Sequence, residues 1–340
     1  MTVSRSWRSG RPRIISRRTG AEGAGQDGQM DRGDGEGLRE ALREALGVAS
    51  APSAPAVEVL SSDPEEGYVR HLVRLVTDED SIPAFLATPV GDGPFGAIAI
   101  FHQHASQRHL GKSEVFGFAG DPFQAFGPVL ARSGVVVLAP DSVAFEDRRP
   151  GGGTDPHDDD WDQHYNALAY RLVLGETLMQ KVLADSTLAI SALLARDDVN
   201  PAAVGAFGHS YGGNTTLFLM AVDERVRFGC ASGALGSYRK KMADGTGIEM
   251  AEVIPGFAAQ FDMEHVLAAI APRPFLAVSA TADKYAADAD ELVQLAQPAF
   301  DAVGAHGALS HLRVEGGHAL DARRFDAIVE WLAAAANDKR

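Results

Sequence analysis

The sequence predicts an α/β protein in which a mostly parallel sheet carries helices on both faces. Two observations predict this fold class. Short apolar runs bounded by Gly, Pro and Asp recur along the chain, as expected for strands that are buried on both faces. Helical stretches separate these runs, and strands that alternate with helices at this spacing form parallel sheets covered by helices.

The first part of the chain is predicted to be disordered. Residues 1–20 contain six arginines and no acidic residue. Residues 19–36 are rich in Gly, Asp and Gln, a composition that cannot bury enough apolar surface to fold. The basic segment is either a disordered or wrongly assigned N-terminus or a tail that binds an anionic partner. It lacks the apolar core of a secretory signal, which predicts a cytoplasmic location.

One short helix is expected within this extension. Residues 37–48 place leucines four residues apart, which is the spacing of one helix face. The Pro-containing stretch 51–55 then predicts a linker. We therefore expect a disordered N-terminal extension with one short helix over residues 1–55 and a single compact domain over residues 56–340.

The strands and helices of this domain are predicted in alternating order. The first three extended segments, at 56–60, 69–76 and 82–88, are expected to form an antiparallel edge. The remaining strands are predicted at 97–101, 135–138, 203–207, 226–230, 275–279 and 312–314. The helices are predicted at 122–132, 164–195, 213–222, 286–302 and 321–335.

Two long loops interrupt this alternation. Residues 145–163 form a polar loop after a strand, and residues 236–262 lie between a strand and the next helix. In an open parallel sheet, ligands bind beyond the carboxyl ends of the strands. Both loops are therefore predicted to form walls of a substrate pocket.

Composition excludes several classes of function. The formal charge is −15, from 31 basic and 46 acidic residues, and phosphate binding needs a positive surface, so nucleic acid is not an expected partner. Cys230 is the single cysteine, which excludes an internal disulfide and any multi-cysteine metal site. No apolar run reaches the roughly 18 residues of a membrane helix, so no membrane partner is expected. The oligomeric state, including a homodimer, stays open.

The motif that carries most chemical information is Gly-His-Ser-Tyr-Gly at 208–212. It follows a predicted strand and precedes a predicted helix, which is the setting of the Gly-x-Ser-x-Gly nucleophile elbow. Glycines are needed on either side of the serine because side chains there would collide with the neighbouring strand and helix. The turn also places Ser210 at a helix N-terminus, where the dipole stabilises developing negative charge. Ser210 is therefore the predicted nucleophile.

A serine hydroxyl needs a base that a third group orients. After such an elbow the acid and then the histidine follow along the chain. His318 lies in a Gly-Gly-His loop directly after the strand 312–314, and Asp283 is the first carboxylate after the strand 275–279. His318 is the predicted base. Asp283 is predicted to hold its tautomer, the alternative being a helix N-cap.

Two backbone amides should hold the developing oxyanion. One is predicted to be the Tyr211 amide, directly after the nucleophile. The other should come from the loop that follows the strand 97–101, where either Gln103 or His104 can supply it; we favour His104. His102 is expected to make a structural hydrogen bond within this loop.

No metal or cofactor is predicted. His102 and His104 alternate, and His157 lies beside the carboxylates of residues 158–160, but this spacing matches no defined metal motif. The carboxylates are interpreted as a solvated loop. No Gly-rich phosphate loop precedes a helix, so no nucleotide cofactor is expected.

Together these residues resemble the α/β-hydrolase superfamily and, more narrowly, its dienelactone-hydrolase-like and acetyl-xylan-esterase-like branch. The resemblance covers residues 85–335. It rests on Phe101-His-Gln-His, Gly111-Lys112, Leu138-Ala-Pro-Asp141, Arg148-Arg149, Asp185, Asp198-Val-Asn-Pro201, the elbow with Gly213, Ala271-Pro-Arg-Pro274 and Gly317-His318. Dienelactone hydrolase has a cysteine nucleophile, whereas this chain has Ser210, which favours the serine esterases.

The resemblance implies an α/β-hydrolase catalytic domain with a mostly parallel, eight-stranded sheet. It also implies cleavage of a small-molecule carboxylic ester, of acetyl-ester or lactone type, through an acyl-enzyme on Ser210. His318 would move the proton, and the Tyr211 and His104 amides would hold the oxyanion. The alternatives are a peptidase, amidase or thioesterase of the same fold, or a binding protein that has the fold without catalysis.

Overall fold

In the residues that the computed structural model describes (35–48, 52–78 and 80–338), nine strands form one sheet. The strands are β1 (Ala56–Glu65), β2 (Tyr68–Val76), β3 (Ser81–Pro89), β4 (Phe95–Phe101), β5 (Val135–Pro140), β6 (Val199–His209), β7 (Phe228–Ser232), β8 (Phe275–Ala280) and β9 (Leu309–Val314). Their order across the sheet is β1-β2-β3-β5-β4-β6-β7-β8-β9. Every extended segment predicted from the sequence overlaps one of these strands.

The helices of the same residues alternate with the strands as predicted. They are α1 (Gly35–Leu46), α2 (Lys112–Val115), α3 (Phe126–Arg132), α4 (Asp160–Leu174), α5 (Leu178–Leu194), α6 (Tyr211–Val222), α7 (Tyr238–Asp244), α8 (Met263–Ala268), α9 (Ala289–Ala302) and α10 (Ala322–Ala336). None of them combines the length and hydropathy that a membrane-crossing segment needs.

The sheet is parallel from β5 through β9 and antiparallel at the β1 edge. β4 pairs in parallel with β5 and β6, and β6, β7, β8 and β9 continue in parallel. β1, β2 and β3 pair antiparallel with one another, and β3 pairs antiparallel with β5, so the predicted antiparallel edge is confirmed. The sheet has nine strands, one for each extended segment predicted from the sequence, rather than the eight that the resemblance implies. The edge strands β1 and β2 are joined by a tight turn at Gly67 (φ 83°).

The predicted helix over 164–195 is two helices in the structure. α4 ends at Gly175, which adopts φ 83° and donates its backbone N–H to a carbonyl of the last turn. The Thr177 side chain then accepts a hydrogen bond from the Gln180 backbone N–H and begins α5. A glycine that ends one helix and a threonine that caps the next separate the two at a single turn.

The structure also differs from the predicted domain boundary at residue 56. α1 belongs to the compact unit, because Leu42 and Leu46 are buried in the main core. Arg39 donates hydrogen bonds to the carbonyl oxygens of Ala269 and Ala271. The predictions for residues 1–34 lie outside the described residues.

Helices cover both faces of the sheet. α3 and α10 pack on one face, whereas α5, α6 and α8 pack on the other, with α1 outside them. Because β4, β6, β8 and β9 are parallel, they all end at the same edge of the sheet. The loops at that edge carry His104, Ser210, Asp283 and His318, which brings residues that are far apart in the sequence to one place.

Candidate active site

Ser210 lies at a strained turn between β6 and α6. Its φ of 56° and ψ of −119° are unusual for a residue with a side chain, and such a conformation costs on the order of 1–3 kcal/mol. The Ser210 N–H donates to the Ser232 carbonyl at 2.7 Å, and its carbonyl accepts from the Asn214 N–H at 3.0 Å. These bonds to β7 and to the first turn of α6 hold the serine in place.

The two glycines of the motif allow close backbone contacts. A Cβ atom at Gly208 would overlap the backbone of Gly212, and a Cβ atom at Gly212 would overlap the carbonyl oxygen of Phe101. Both positions are therefore restricted to glycine because strand, turn and helix lie too close together for any side chain. The close contacts in the structure are thus those that the sequence analysis gave as the reason for glycine at both positions of the motif.

The structure brings the three residues Ser210, His318 and Asp283 into one hydrogen-bonded chain. His318 Nε2 lies 2.7 Å from Ser210 Oγ, and His318 Nδ1 lies 2.9 Å from Asp283 Oδ2. The other carboxylate oxygen of Asp283 accepts from the Tyr285 N–H at 2.9 Å. Asp283 thus caps a short 3₁₀ turn and also holds the histidine, so the two interpretations of this aspartate are compatible.

Residues that the sequence analysis missed hold the His318 loop. Arg324 is buried and donates from Nη1 to the Gly317 carbonyl at 3.1 Å. Its Nη2 donates to the Ala319 carbonyl, on the other side of His318 in the chain. The Tyr285 ring packs edge-on against the imidazole with centroids 4.8 Å apart. A buried arginine seven residues after the second glycine of a loop carries no recognisable sequence signal.

His209, beside the serine, is a buried neutral group. Burial, together with electrostatic repulsion from the neighbouring His318 and Arg324, holds the pKa of His209 well below the ordinary value of 6.5. Its Nδ1 lies 3.0 Å from Ser232 Oγ, and its ring centroid lies 4.9 Å from that of His318. A Cβ atom at Gly233 would lie 2.8 Å from His209 Cε1 and 3.1 Å from His318 Cε1. The glycine therefore leaves room for both rings.

Two polar residues of the loop after β4, His104 and Gln103, lie in different surroundings. His104 lines the same cavity as Ser210 and Tyr211. Gln103 is buried, and its side-chain amide donates to Glu114 Oε1 at 3.1 Å. Gln103 is therefore not part of the lining of the cavity that His104 lines.

His102 makes the structural hydrogen bonds that the sequence analysis expected. Its Nδ1–H donates to the Gln103 carbonyl at 2.7 Å, and its Nε2 accepts from the Ser142 N–H at 3.0 Å. Burial lowers the pKa of His102 to about 4. The neutral ring therefore braces the loop in one tautomer.

The His104 side chain contacts a carboxylate from a distant loop. Its Nε2 lies 2.5 Å from Glu249 Oε2. Burial alone would raise the pKa of Glu249, but the hydrogen bond from His104 and the attraction of His104 and His164 lower it to about 2. Glu249 therefore carries a negative charge inside the cavity wall. The loop that carries Glu249 is a cavity wall predicted from the sequence, but no motif identifies Glu249 itself.

The cavity in front of Ser210 has a volume of about 230 Å³, and both polar and apolar groups line it. Its lining consists of His104, Ala105, Ser106, Ser210, Tyr211, Asn214, Gly233, Ala234, Lys241, Gly247, Ile248, Glu249, Glu252, Tyr285 and His318. Lys241 Nζ lies 2.7 and 2.8 Å from the two carboxylate oxygens of Glu252. Ile248 is the single large aliphatic residue of this lining, and the Tyr211 and Tyr285 side chains line the cavity beside the charged groups.

The two long loops have different places in the structure. The loop 236–262 contributes Lys241, Glu249 and Glu252 to the cavity wall, as predicted. The loop 145–163 lies one layer behind, where the Phe145 ring packs 5.3 Å from the Tyr211 ring. It supports the cavity residues rather than lining the cavity, which differs from the prediction.

Two acidic clusters have the ligand spacing of a metal site. His157, Asp159 and Asp160 form one of them, and Asp160 already accepts a hydrogen bond from the buried Arg149. The other contains Asp141, Glu146 and Asp147. The Lys112 ammonium lies within this second cluster and contacts Asp141, Glu146 and Asp147 at 2.8, 2.5 and 2.6 Å. Protein cations thus neutralise carboxylates in both clusters.

The strand order of this mostly parallel sheet and the nucleophile elbow directly after β6 are together typical of one fold class. The protein has the α/β-hydrolase fold. Residues 168–299 match the model of the prolyl oligopeptidase family. Over 288 residues the chain is 25% identical to "Putative hydrolase YtaP" of Bacillus subtilis (strain 168), with 82% of this chain and 92% of that protein covered.

Solved structures share this fold at low sequence identity. A putative acetyl xylan esterase from Bacteroides fragilis NCTC 9343 superposes with a TM-score of 0.65 at 17% identity, covering 82% of this chain and 74% of that chain. A glucuronoyl esterase from Solibacter usitatus superposes with a TM-score of 0.66 at 17% identity, covering 89% of this chain and 92% of that chain. These likenesses establish the α/β-hydrolase architecture.

Proposed function

We propose that the protein is a serine hydrolase that cleaves carboxylic esters of acetyl-ester or lactone type through an acyl-enzyme on Ser210. The observation that carries the proposal is the continuous hydrogen-bonded chain from Ser210 through His318 to the buried Asp283, with Ser210 and His318 facing one cavity. This is the arrangement by which a base activates a serine hydroxyl and a carboxylate orients the base.

In the proposed reaction, Ser210 Oγ attacks the acyl carbonyl while His318 Nε2 takes its proton. Asp283 accepts the hydrogen bond from His318 Nδ1–H and stabilises the imidazolium that forms. The histidine then gives the proton to the leaving alcohol. In the second step His318 takes a proton from water, which attacks the acyl-enzyme. The bond between Ser210 Oγ and the acyl carbon then breaks, the acid is released, and His318 returns the proton to Ser210 Oγ.

Two backbone N–H groups are proposed to stabilise the negative charge that develops on the carbonyl oxygen. The Tyr211 N–H is at the start of α6, where the helix dipole adds to its effect. We assign the second donor to the His104 N–H, because His104 lines the cavity whereas the buried Gln103 is bonded to Glu114 and is not part of the lining. Each donor of this kind lowers the barrier by about 3–4 kcal/mol.

The size of the cavity favours a short acyl group. Its volume of about 230 Å³ is below that of pockets that enclose larger ligands, so a long alkyl chain has little room. The relatives described as acetyl xylan and glucuronoyl esterases share the fold and are consistent with ester hydrolysis. The match to the prolyl oligopeptidase family keeps a peptidase as the second candidate.

The test combines a substrate series with a covalent probe. We expect p-nitrophenyl acetate to be hydrolysed with a higher kcat/KM than the butyrate, and the octanoate to be the poorest of the three. A fluorophosphonate should label Ser210, as found by mass spectrometry of the labelled peptide. Faster cleavage of a prolyl p-nitroanilide than of any ester would favour the peptidase. If the protein is not labelled and hydrolyses none of these substrates, both candidate functions are contradicted.

A further inference from the structure

The loop that carries His104 has an unusual backbone. Ala105 and Ser106 adopt φ values of 38° and 63°, in the left-handed region that residues with a side chain rarely occupy. Two consecutive residues of this kind cost free energy that glycines would not. The shape of this loop therefore depends on contacts outside the residues that form it.

The His104 imidazole is held at both ring nitrogens. The Ser106 N–H donates to Nδ1 at 2.9 Å, so Nδ1 is an acceptor and the proton of the neutral ring is on Nε2. Nε2–H then donates to Glu249 Oε2 at 2.5 Å. The Gln107 N–H also donates to the His104 carbonyl and closes the turn. The side chain of His104 thus links its own strained turn to Glu249.

Glu249 reaches this turn from another part of the fold. It lies 145 residues further along the chain, on the loop 236–262. The two side chains are largely shielded from water, with exposed fractions of 20% for His104 and 13% for Glu249. A charge-assisted hydrogen bond in such surroundings is stronger than one at the surface.

We propose that Glu249 is a positioning residue for ester hydrolysis: through the His104 ring it fixes the turn that aims the His104 backbone N–H at the oxyanion. The inference rests on the proposed function of the same site. Glu249 contacts the ring and not the reacting atoms. Without it the ring is free to rotate, the hydrogen bond from Ser106 is lost, and the turn relaxes to remove its positive φ values.

A double-mutant cycle tests this role. Glu249→Ala and His104→Ala each remove the contact but keep the backbone N–H of residue 104. Each variant should lower kcat for p-nitrophenyl acetate by about 10- to 100-fold, less than the full loss of a donor, while KM changes less than about twofold. The double variant should be no slower than the slower single variant. Both substitutions remove the same contact, so their effects on kcat do not add.

Two further measurements separate positioning from a general loss of structure. Affinity for a trifluoromethyl ketone, whose adduct with serine carries an oxyanion, should weaken by the same factor as kcat. Glu249→Gln should stay within about threefold of wild type, because its amide oxygen still accepts from His104. Glu264→Ala is the matched control: it removes a carboxylate that pairs with Arg239 nearby, and kcat should not change.

The outcomes distinguish this inference from the function on which it rests. Wild-type turnover with fluorophosphonate labelling of Ser210, but unchanged kcat in Glu249→Ala and His104→Ala, would overturn the positioning role alone. Additive losses in the double variant, or a rise confined to KM, would also overturn it. If Glu249→Ala does not fold, by circular dichroism, His104→Ala still decides the question. A wild type that neither turns over nor is labelled overturns the proposed function itself.

Discussion

The two sides of the cavity are built in different ways. On one side, Ser210, Asp283 and His318 lie within the first few residues after parallel strands, and short backbone hydrogen bonds hold them. On the other side, His104 depends on Glu249, a residue from a distant loop. The first side follows from strand topology and close glycine contacts. The second needs a specific long-range contact between charged and polar side chains.

The largest effect on activity is expected from a substitution of the nucleophile on the first side of the cavity. Ser210→Ala removes one hydroxyl and should lower turnover of p-nitrophenyl acetate by at least about a thousandfold. The melting temperature should stay near that of wild type, because the hydroxyl contributes little to packing. Retention of more than a few percent of wild-type turnover in the purified variant would contradict the assignment of the nucleophile.

A smaller effect is expected from a substitution next to the nucleophile. In Gly212→Ala the new Cβ atom would overlap the Phe101 carbonyl oxygen, and neither backbone can move freely. We expect a loss of about 1–3 kcal/mol in the free energy of unfolding and about a 100-fold loss of kcat from displacement of the elbow. Gly35→Ala is the control, since a Cβ atom there has no neighbour within 4 Å. Equal behaviour of both variants would refute the steric argument.

The His318 loop offers a third test of the first side. Arg324→Met keeps the length of the side chain but leaves the Gly317 and Ala319 carbonyls without their donor. We expect kcat to fall by about tenfold with KM unchanged, and stability to fall by about 1–3 kcal/mol. The exposed neighbour Arg323 provides the control Arg323→Met. The idea fails if the two methionine variants have the same kcat.

The second side has a pH dependence of its own. Burial lowers the pKa of His164, which lies behind Glu249, to about 4. The unfolded chain therefore takes up this proton first, near pH 6.5, so the stability that the neutral ring contributes is complete above pH 6.5 and is lost as the pH falls towards 4.

A variant that cannot titrate isolates this contribution. Between pH 7 and pH 4.5, the free energy of unfolding of wild type should fall by about 2 kcal/mol more than that of His164→Gln. The glutamine oxygen still accepts from Arg108, which donates to the His164 ring at 3.2 Å. Urea titrations at both pH values measure the difference. The exposed His306 gives the control His306→Gln, and parallel pH profiles for all three proteins would exclude His164 as the cause.

The smallest expected effect is that of a chelator. The cluster of His157, Asp159 and Asp160 has metal-ligand spacing, but it lies in the loop behind the cavity wall, and a serine mechanism supplies its own nucleophile. Hydrolysis of p-nitrophenyl acetate should therefore survive EDTA unchanged. Loss of activity that a defined divalent cation restores would show that the chemistry of the site has been assigned to the wrong class.

The difference between the two long loops explains why a loop is harder to place than a strand end. Both loops are polar, long and attached to the same edge of the sheet. The loop 236–262 reaches the cavity, whereas the loop 145–163 is held behind it by buried ion pairs such as that between Lys112 and Glu146. Lys112 precedes its partner by 34 residues. Polarity alone does not distinguish a wall from its support.

Local sequence patterns were sufficient to predict the α/β class, the strand positions and the elbow. Apolar runs, turn residues and the glycines around Ser210 act over a few residues, so local patterns predict them. The order of acid and histidine after the elbow named Asp283 and His318, which the parallel strands bring to Ser210.

The contacts that hold the cavity walls could not be predicted from local patterns, because they depend on the packing of the folded chain. The pairing of His104 with Glu249, the Arg324 clamp on the His318 loop and the docking of α1 on the core each join segments whose sequences carry no mutual signal. A charged residue that forms a pair in the interior occurs in the same local sequence patterns as one that faces water. The packing of the whole chain decides between them, because it determines which charges are brought within reach of each other.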